Sequence, residues 1–249
     1  MKVLILGGTT EASAIALELD RRGMSVVLSL AGRTRAPVLP AVPGRRGGFG
    51  GVPGLAAYLQ SERIGALVDA THPFAAQMHA NAAAAAHVAG VPRVAVSRPP
   101  WQAAPGDRWT EVVGMPAAVT ALGPTPRRVF LTIGQQELAP FRAAPWHIYL
   151  IRSIEPPDPA ATPPNATFLA ARGPFTLPDE LALLQEQAIE VLVTKNAGGP
   201  AVAAKLEAAR TLGLPVIMVS RPPPPEPPLV PDAAGAVAFV TTLMRQLTS

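Results

Sequence analysis

The sequence predicts an α/β protein built of two halves of similar plan, each with a parallel, doubly wound sheet. Three observations predict it. The length of 249 residues suits two domains of about 120 residues, each able to bury a core. Short uninterrupted apolar runs, the pattern of strands buried on both faces, alternate with segments of helical period. And a strand–loop–helix–strand unit ending in Ser-Arg-Pro-Pro occurs twice.

Lys2–Leu6 is the first strand, Gly7-Gly-Thr-Thr10 the turn after it, and residues 11–22 a helix with Ala14, Leu17 and Leu19 near helical spacing, stopped by Gly23. Residues 25–31 form the second strand. The glycine-rich segment 44–51 leads to a helix over 55–62, a strand over 66–69, a helix over 74–88 and a strand over 93–96. Turn formers at Gly123-Pro-Thr-Pro126 mark a boundary between domains at 1–125 and 126–249. Alternation then resumes, with strands over 129–131, 147–151, 191–193 and 216–219 and helices over 177–187 and 201–212. Residues 222–228 are a stiff proline-rich spacer, and the last helix gathers Val237, Val240, Met244 and Leu247 on one face.

The repeat aligns without a gap. Thr71 to Ser97 and Thr194 to Ser220 are both 26 residues apart, Gly90 matches Gly213, and Pro92 matches Pro215. His72 therefore matches Lys195, and Arg98 matches Arg221. A weaker echo pairs Leu6-Gly7-Gly8 with Thr132-Ile133-Gly134.

Composition bounds the chemistry. With no cysteine, a disulfide framework, a zinc–thiolate site and a thiol nucleophile are excluded. No apolar run approaches the roughly 20 residues that span a bilayer, and an opening strand with a glycine turn is not a signal-peptide plan, so a cytoplasmic location is expected. The net charge of +4 points to an anionic partner. The basic residues are scattered, which disfavours nucleic acid and favours a small anionic substrate. His79 and His87 sit at uneven spacing on an alanine-rich helix with no ligating companion, so no metal is expected.

Ligands of a parallel sheet bind beyond the carboxyl ends of the strands, which selects the loops 7–11, 31–35, 71–74, 132–135 and 195–199. The turn Gly7, Gly8, Thr9, Thr10, Glu11 has the glycines and helix N-terminus of a phosphate-binding loop, although it lacks the full GxGxxG spacing; a plain strand-to-helix turn is the alternative. The second strand ends without an acidic residue and runs into Gly32-Arg33-Thr34-Arg35, which suits the 2′-phosphate of NADP better than the free ribose of NAD. Lys195 is expected at a helix N-terminus, where a cation is unfavourable unless it meets an anion.

These residues together resemble the precorrin-6A reductase family of corrin-ring biosynthesis. The resemblance covers nearly the whole chain. It rests on Leu6-Gly-Gly-Thr-Thr-Glu-Ala12, Ala31-Gly-Arg33, Gly47-Gly-Phe-Gly-Gly51, Asp69-Ala-Thr-His-Pro-Phe-Ala75, Arg98-Pro-Pro-Trp101, Thr132-Ile-Gly134, Arg172-Gly-Pro-Phe175, and Thr194-Lys-Asn-Ala-Gly198 with Lys205 and Ser220-Arg-Pro222. The string from Asp69 to Ala75 is the most specific. Two departures stand out. Ala197 stands where the family pattern has a serine, so that position offers no hydroxyl, and Ser220 stands where it often has an arginine.

The resemblance implies two Rossmann-like domains, an NADP-binding one and a substrate-binding one, with the ligand cleft between them. It implies hydride transfer from NADPH to precorrin-6A, giving precorrin-6B. The partner it implies is an anionic tetrapyrrole, with neighbouring corrin-pathway enzymes as further candidates. Expected cofactor contacts are Gly7, Gly8, Thr9, Thr10, Glu11, Gly32, Arg33, Thr34, Arg35, Thr71 and Gly134. Expected substrate contacts are Pro73, Phe74, Arg98, Asn196, Gly198, Gly199 and Arg221, with His72 and Lys195 as candidate proton relays. Two other readings stay open: a cobalt-bearing substrate reduced with NADH, and a non-catalytic two-lobed binder of an anionic metabolite.

Overall fold

The computed structural model describes residues 1–32 and 40–248 and contains two six-stranded sheets in which every neighbouring pair is parallel. The first sheet is formed by β1 (Lys2–Leu6), β2 (Ser25–Leu30), β3 (Gly44–Arg46), β4 (Ile64–Asp69), β5 (Arg93–Val96) and, from the far end of the chain, β12 (Leu229–Val230). Its order is β12-β5-β4-β1-β2-β3.

The uninterrupted run in β1 serves both faces of this sheet. Val3 and Ile5 join Ile15 and Leu19 of α1 (Thr10–Arg21) and Val237 and Val240 of α7 (Ala233–Thr248) in one core. Leu4 and Leu6 point the other way, into a second core with Leu55 and Leu59 of α2 (Gly51–Ser61) and Ala82 and Ala85 of α3 (Ala76–Ala89). Alternate side chains of one strand thus bury against helices on opposite faces.

The second sheet has the order β6-β11-β10-β7-β8-β9. Its strands are β6 (Arg108–Val112), β7 (Arg128–Thr132), β8 (Ile148–Ser153), β9 (Ala166–Ala170), β10 (Val191–Lys195) and β11 (Pro215–Val219). Phe130, Leu192 and Met218 of this sheet bury against Leu184 of α5 (Leu177–Glu186) and Leu206 of α6 (Ala204–Thr211). α4 (Gly114–Leu122) follows β6 and packs on β11. Two short 3-10 turns, Gln135–Glu137 and Ala139–Ala143, stand where the first sheet has α1.

Numbered within each half, both sheets read 3-2-1-4-5-6, the doubly wound order with its switch point beside the first strand. The sixth strand is exchanged. β6 follows β5 in the chain but pairs with β11, whereas β12 follows β11 and pairs with β5. The chain accordingly divides into one compact unit of Met1–Pro99 with Pro222–Ser249 and a second of Pro100–Arg221.

This corrects the boundary expected near residue 125. The turn cluster 123–126 only joins α4 to β7 inside the second unit, and the true division falls within the two Ser-Arg-Pro-Pro segments. The proline spacer ends as a strand: Arg93 donates from Nη2 to the Glu226 and Pro227 carbonyls at 2.7 and 3.2 Å just before β12 joins β5. β3, β6, β9 and β12 escaped the sequence reading because they lie towards sheet edges and carry half-exposed, polar or very short segments.

Candidate functional site

In the first unit, β1 and β4 end side by side and their loops meet. Gly7 donates its amide to the Ser29 carbonyl (2.9 Å), prolonging the sheet, and a Cβ there would lie 2.7 Å from Leu28 Cδ1 and 3.2 Å from Ala12 Cβ. Close packing of α1 onto the sheet demands this glycine. Gly8 differs: its φ is +114°, and a Cβ would meet nothing within 4 Å, so backbone conformation demands it and its outer side is open. Thr9 caps α1, accepting from the Ala12 amide at 3.2 Å, while its hydroxyl donates to the Ala70 carbonyl at 2.7 Å. One threonine therefore ties the glycine turn to the loop after β4.

Glu11 lies in the first turn of α1, where the helix dipole favours a carboxylate, and Arg98 Nη1 donates to its Oε1 at 2.6 Å. Burial raises the Glu11 carboxyl, but the Arg98 hydrogen bond, its own backbone N–H, the Arg98 charge and Thr10 together hold it below the usual value. Thr9, Glu11, Ala70, Thr71, Pro73, Val96 and Arg98 line a small recess at this edge of the unit. Glu11 and Arg98, expected on cofactor and substrate respectively, are thus partners of one another.

The loop after β4 is anchored from below. Asp69, fully buried, accepts from the Thr71 hydroxyl (2.8 Å) and amide (3.2 Å) through Oδ1 and from His79 Nδ1 (2.7 Å) through Oδ2. His72 Nδ1 accepts the Phe74 amide at 3.2 Å, and its ring lies 5.8 Å from that of Phe74. Pro73 and Phe74 are half-buried. Gly32, with φ +79°, approaches the Gly47 backbone, where a Cβ would lie 3.5 Å from the Gly47 nitrogen. Arg33, Thr34 and Arg35 lie outside the described residues.

In the second unit Lys195 is the last residue of β10, and its Nζ donates to Glu137 Oε1 at 3.0 Å. The expectation that it caps a helix is corrected: α6 begins only at Ala204, after a turn over 200–203. Asn196 is buried, and its side chain accepts the Trp101 amide (2.8 Å) and donates to the Trp101 carbonyl (2.9 Å). The Trp101 indole donates to the Gly199 carbonyl (3.0 Å), and Arg221 Nε donates to the Asn196 carbonyl (2.6 Å). Gly198 and Gly199 take positive φ values of 65° and 79°. Gly134, with φ +81°, opens a 3-10 turn rather than an α-helix, so it offers no extended helix N-terminus to an anion.

Sequence reasoning missed a buried charged cluster in this unit. Arg152 pairs with Glu180 and stacks on Phe175, 3.8 Å from the ring centre. Lys205, 4% exposed, donates to the Val202 carbonyl at 3.0 Å and lies 5.1 Å from the Trp101 ring centre. Burial, and then repulsion from Arg152, outweigh Glu180 and push its pKa down to about 7. The family string containing Lys205 was visible; its burial was not, because it sits on a short helix with a weak apolar stripe.

Parallel six-stranded sheets of this order, with a glycine turn leading into the helix after the first strand, define the Rossmann-like α/β class. The family model described as "Precorrin-6x reductase CbiJ/CobK" matches residues 2–241, and the chain belongs to that family. It is 51% identical over 247 residues to the precorrin-6A reductase of Rhodococcus erythropolis, covering 98% of this chain and 99% of that one. To the precorrin-6A reductase of Mycobacterium tuberculosis H37Rv it is 46% identical, covering 96% and 94%. A solved structure titled "CobK precorrin-6A reductase" superposes with a TM-score of 0.93 at 49% identity, covering 97% of this chain and 96% of that one. The cobalt-precorrin-6A reductase of Priestia megaterium is 28% identical, covering 88% and 90%.

Proposed function

We propose that this protein reduces precorrin-6A to precorrin-6B in cobalamin biosynthesis, taking a hydride from NADPH. The observation that carries the reading is near-full-length identity of 51% to a precorrin-6A reductase, against 28% to a cobalt-precorrin-6A reductase.

The first unit supports a dinucleotide site. Gly8 leaves its outer side open to a pyrophosphate, and Thr9 holds the turn in place against the loop carrying Thr71. Thr10 and Glu11 begin the helix whose dipole faces that turn, and Arg98 neutralises Glu11 so that a second anion is not repelled. Gly32 with Arg33, Thr34 and Arg35 is assigned to the 2′-phosphate on the sequence argument, and Gly134 remains assigned to the cofactor on the same ground. The nicotinamide supplies the hydride when bound.

Reducing a conjugated C=C/C=N system also takes up a proton. His72, whose Nδ1 is occupied by the Phe74 amide, and Lys195, held by Glu137, are assigned that transfer. Pro73, Phe74, Asn196, Gly198, Gly199 and the guanidinium groups of Arg98 and Arg221 are assigned to the macrocycle and its carboxylates. Asn196 acts there indirectly, by fixing the Trp101 backbone.

Incubating pure protein with authenticated precorrin-6A and NADPH tests the reading. Loss of the reduced-nicotinamide absorbance with formation of precorrin-6B is expected; an unchanged mixture overturns it. An NADH arm with cobalt-precorrin-6A sets the alternative against it, and faster turnover in that arm would transfer the assignment.

A further inference from the structure

We propose that the buried Asp69–His79 pair is a positioning device for the nicotinamide cofactor, holding the Thr71–Pro73 loop as a wall of its site. The inference rests on the reading of the first unit as the NADPH-binding one.

Three observations carry it. First, the pair touches the recess only through what it holds. Asp69 takes both the hydroxyl and the amide of Thr71, and the carbonyl of the intervening Ala70 receives the Thr9 hydroxyl. Thr9, Ala70, Thr71 and Pro73 all line the recess, whereas Asp69 and His79 lie beneath it, 0% and 4% exposed. The glycine turn and the Thr71 loop are therefore registered against one carboxylate.

Second, the carboxylate is itself aimed. His79, in the first turn of α3, points Nδ1 at Asp69 Oδ2 (2.7 Å), which assigns a proton to Nδ1, and its Nε2 is buried without a hydrogen-bond partner among the described residues. A polar pair with one orphaned atom is a poor way to glue a helix to a sheet. It is a good way to fix an angle, because a carboxylate with three donors has one satisfied orientation.

Third, the second unit shows that the fold does not need it. By ladder register Asp69, paired with Leu6 and Ala95, corresponds to Thr194, paired with Thr132 and Met218, and α6 contains no histidine. Thr194 is buried in β10 and uncharged, so the same strand in the same topology is built without a carboxylate at that place. The polar pair is thus specific to the unit with the glycine turn.

The test is a titration of full-length protein with NADPH in the absence of tetrapyrrole, alongside thermal unfolding. Asp69→Asn keeps an acceptor for Thr71 but turns an amide towards His79. It is expected to weaken NADPH binding about fivefold to tenfold, in line with the loss of one ordinary net hydrogen bond. His79→Asn, which returns an N–H near the Nδ1 position, is expected to stay within about threefold of wild type. The double variant Asp69→Leu/His79→Val replaces both polar groups with apolar ones. It is expected to unfold no earlier than wild type yet bind NADPH at least about tenfold more weakly. Wild-type affinity in Asp69→Asn, or in a folded double variant, overturns the inference while leaving the proposed function intact. If the double variant fails to fold, Asp69→Asn against His79→Asn still decides. Absence of NADPH binding by the wild-type protein overturns both.

Discussion

At equivalent positions of the two Thr-to-Ser segments, the first unit has His72 and Ala82 where the second has Lys195 and Lys205. The strand order around them is the same. The helices are not: α3 starts at Ala76 and buries Ala82, Ala85 and Ala86, whereas α6 starts at Ala204 and buries a lysine in its first turn. One topology therefore carries an alanine-lined helix in one unit and a buried cation in the other, and chemistry is set by what the loops and helices present rather than by topology.

The sharpest way to break the comparison is to remove the matched pair His72 and Lys195 separately. Each alanine variant is expected to lower kcat about 100-fold with an unchanged unfolding temperature, the scale of a lost general acid. Steady-state assays with both variants check this. A large loss in one alone would make the two positions equivalent in register only, and unchanged kcat in both would remove them from the reaction.

Next in size is the loop after the second strand, which only the first unit furnishes with arginines. Arg33→Ala is expected to raise the NADPH KM about tenfold or more while moving the NADH KM by less than about twofold, the signature of a lost phosphate contact. Equal shifts for both cofactors would leave the 2′-phosphate without its proposed partner.

Lys205 tests the reverse direction. Its folded pKa of about 7 lies below the unfolded 10.5, so the unfolded chain binds the extra proton between those values and wild-type stability rises with pH through that window. Below pH 7 the full burial penalty applies. Lys205→Met should therefore stabilise by about 1–3 kcal/mol near pH 6, with the gain shrinking towards pH 10. At about 2–4 °C per kcal/mol, unfolding scans at the two pH values resolve it. A gain independent of pH would refer the effect to packing.

The smallest effect belongs to Glu11. Its folded pKa is depressed, so its contribution is present at neutral pH and is lost as pH falls through the folded value. Half-burial and solvent screening hold it to about 0–1 kcal/mol, and Glu11→Gln should flatten the acid limb of stability by that amount. Comparing midpoints at pH 7 and pH 3 checks this.

Much of the architecture was legible because central parallel strands write themselves as apolar runs: Lys2–Leu6 and Val191–Val193 could hardly be anything else. The exchange of β6 and β12 was not legible. Arg-Trp-Thr-Glu-Val and Leu-Val carry no mark of which sheet they join, and the turn at 123–126 is a stronger local signal than the prolines where the chain actually crosses. At the site, the glycine turn and the Asp69–Ala75 string were visible as sequence. Their hydrogen bonds were not: that Arg98 would pair with Glu11, or Asn196 with the Trp101 backbone, depends on partners 87 and 95 residues away. Local pattern has no access to such separations.

The exchanged sixth strands set an order of events during synthesis. Residues 100–221 are contiguous, so the second unit has all its strands once Arg221 has left the ribosome. The first unit, although β1 precedes every strand of the second, must keep the edge of β5 open until Leu229–Val230 arrives, and lacks α7 until Ala233–Thr248 has followed. An unpaired strand edge is an invitation to mispairing. The half that is translated first is thus the half completed last, and a released chain cut short of residue 229 would have all the strands of the second unit but not those of the first.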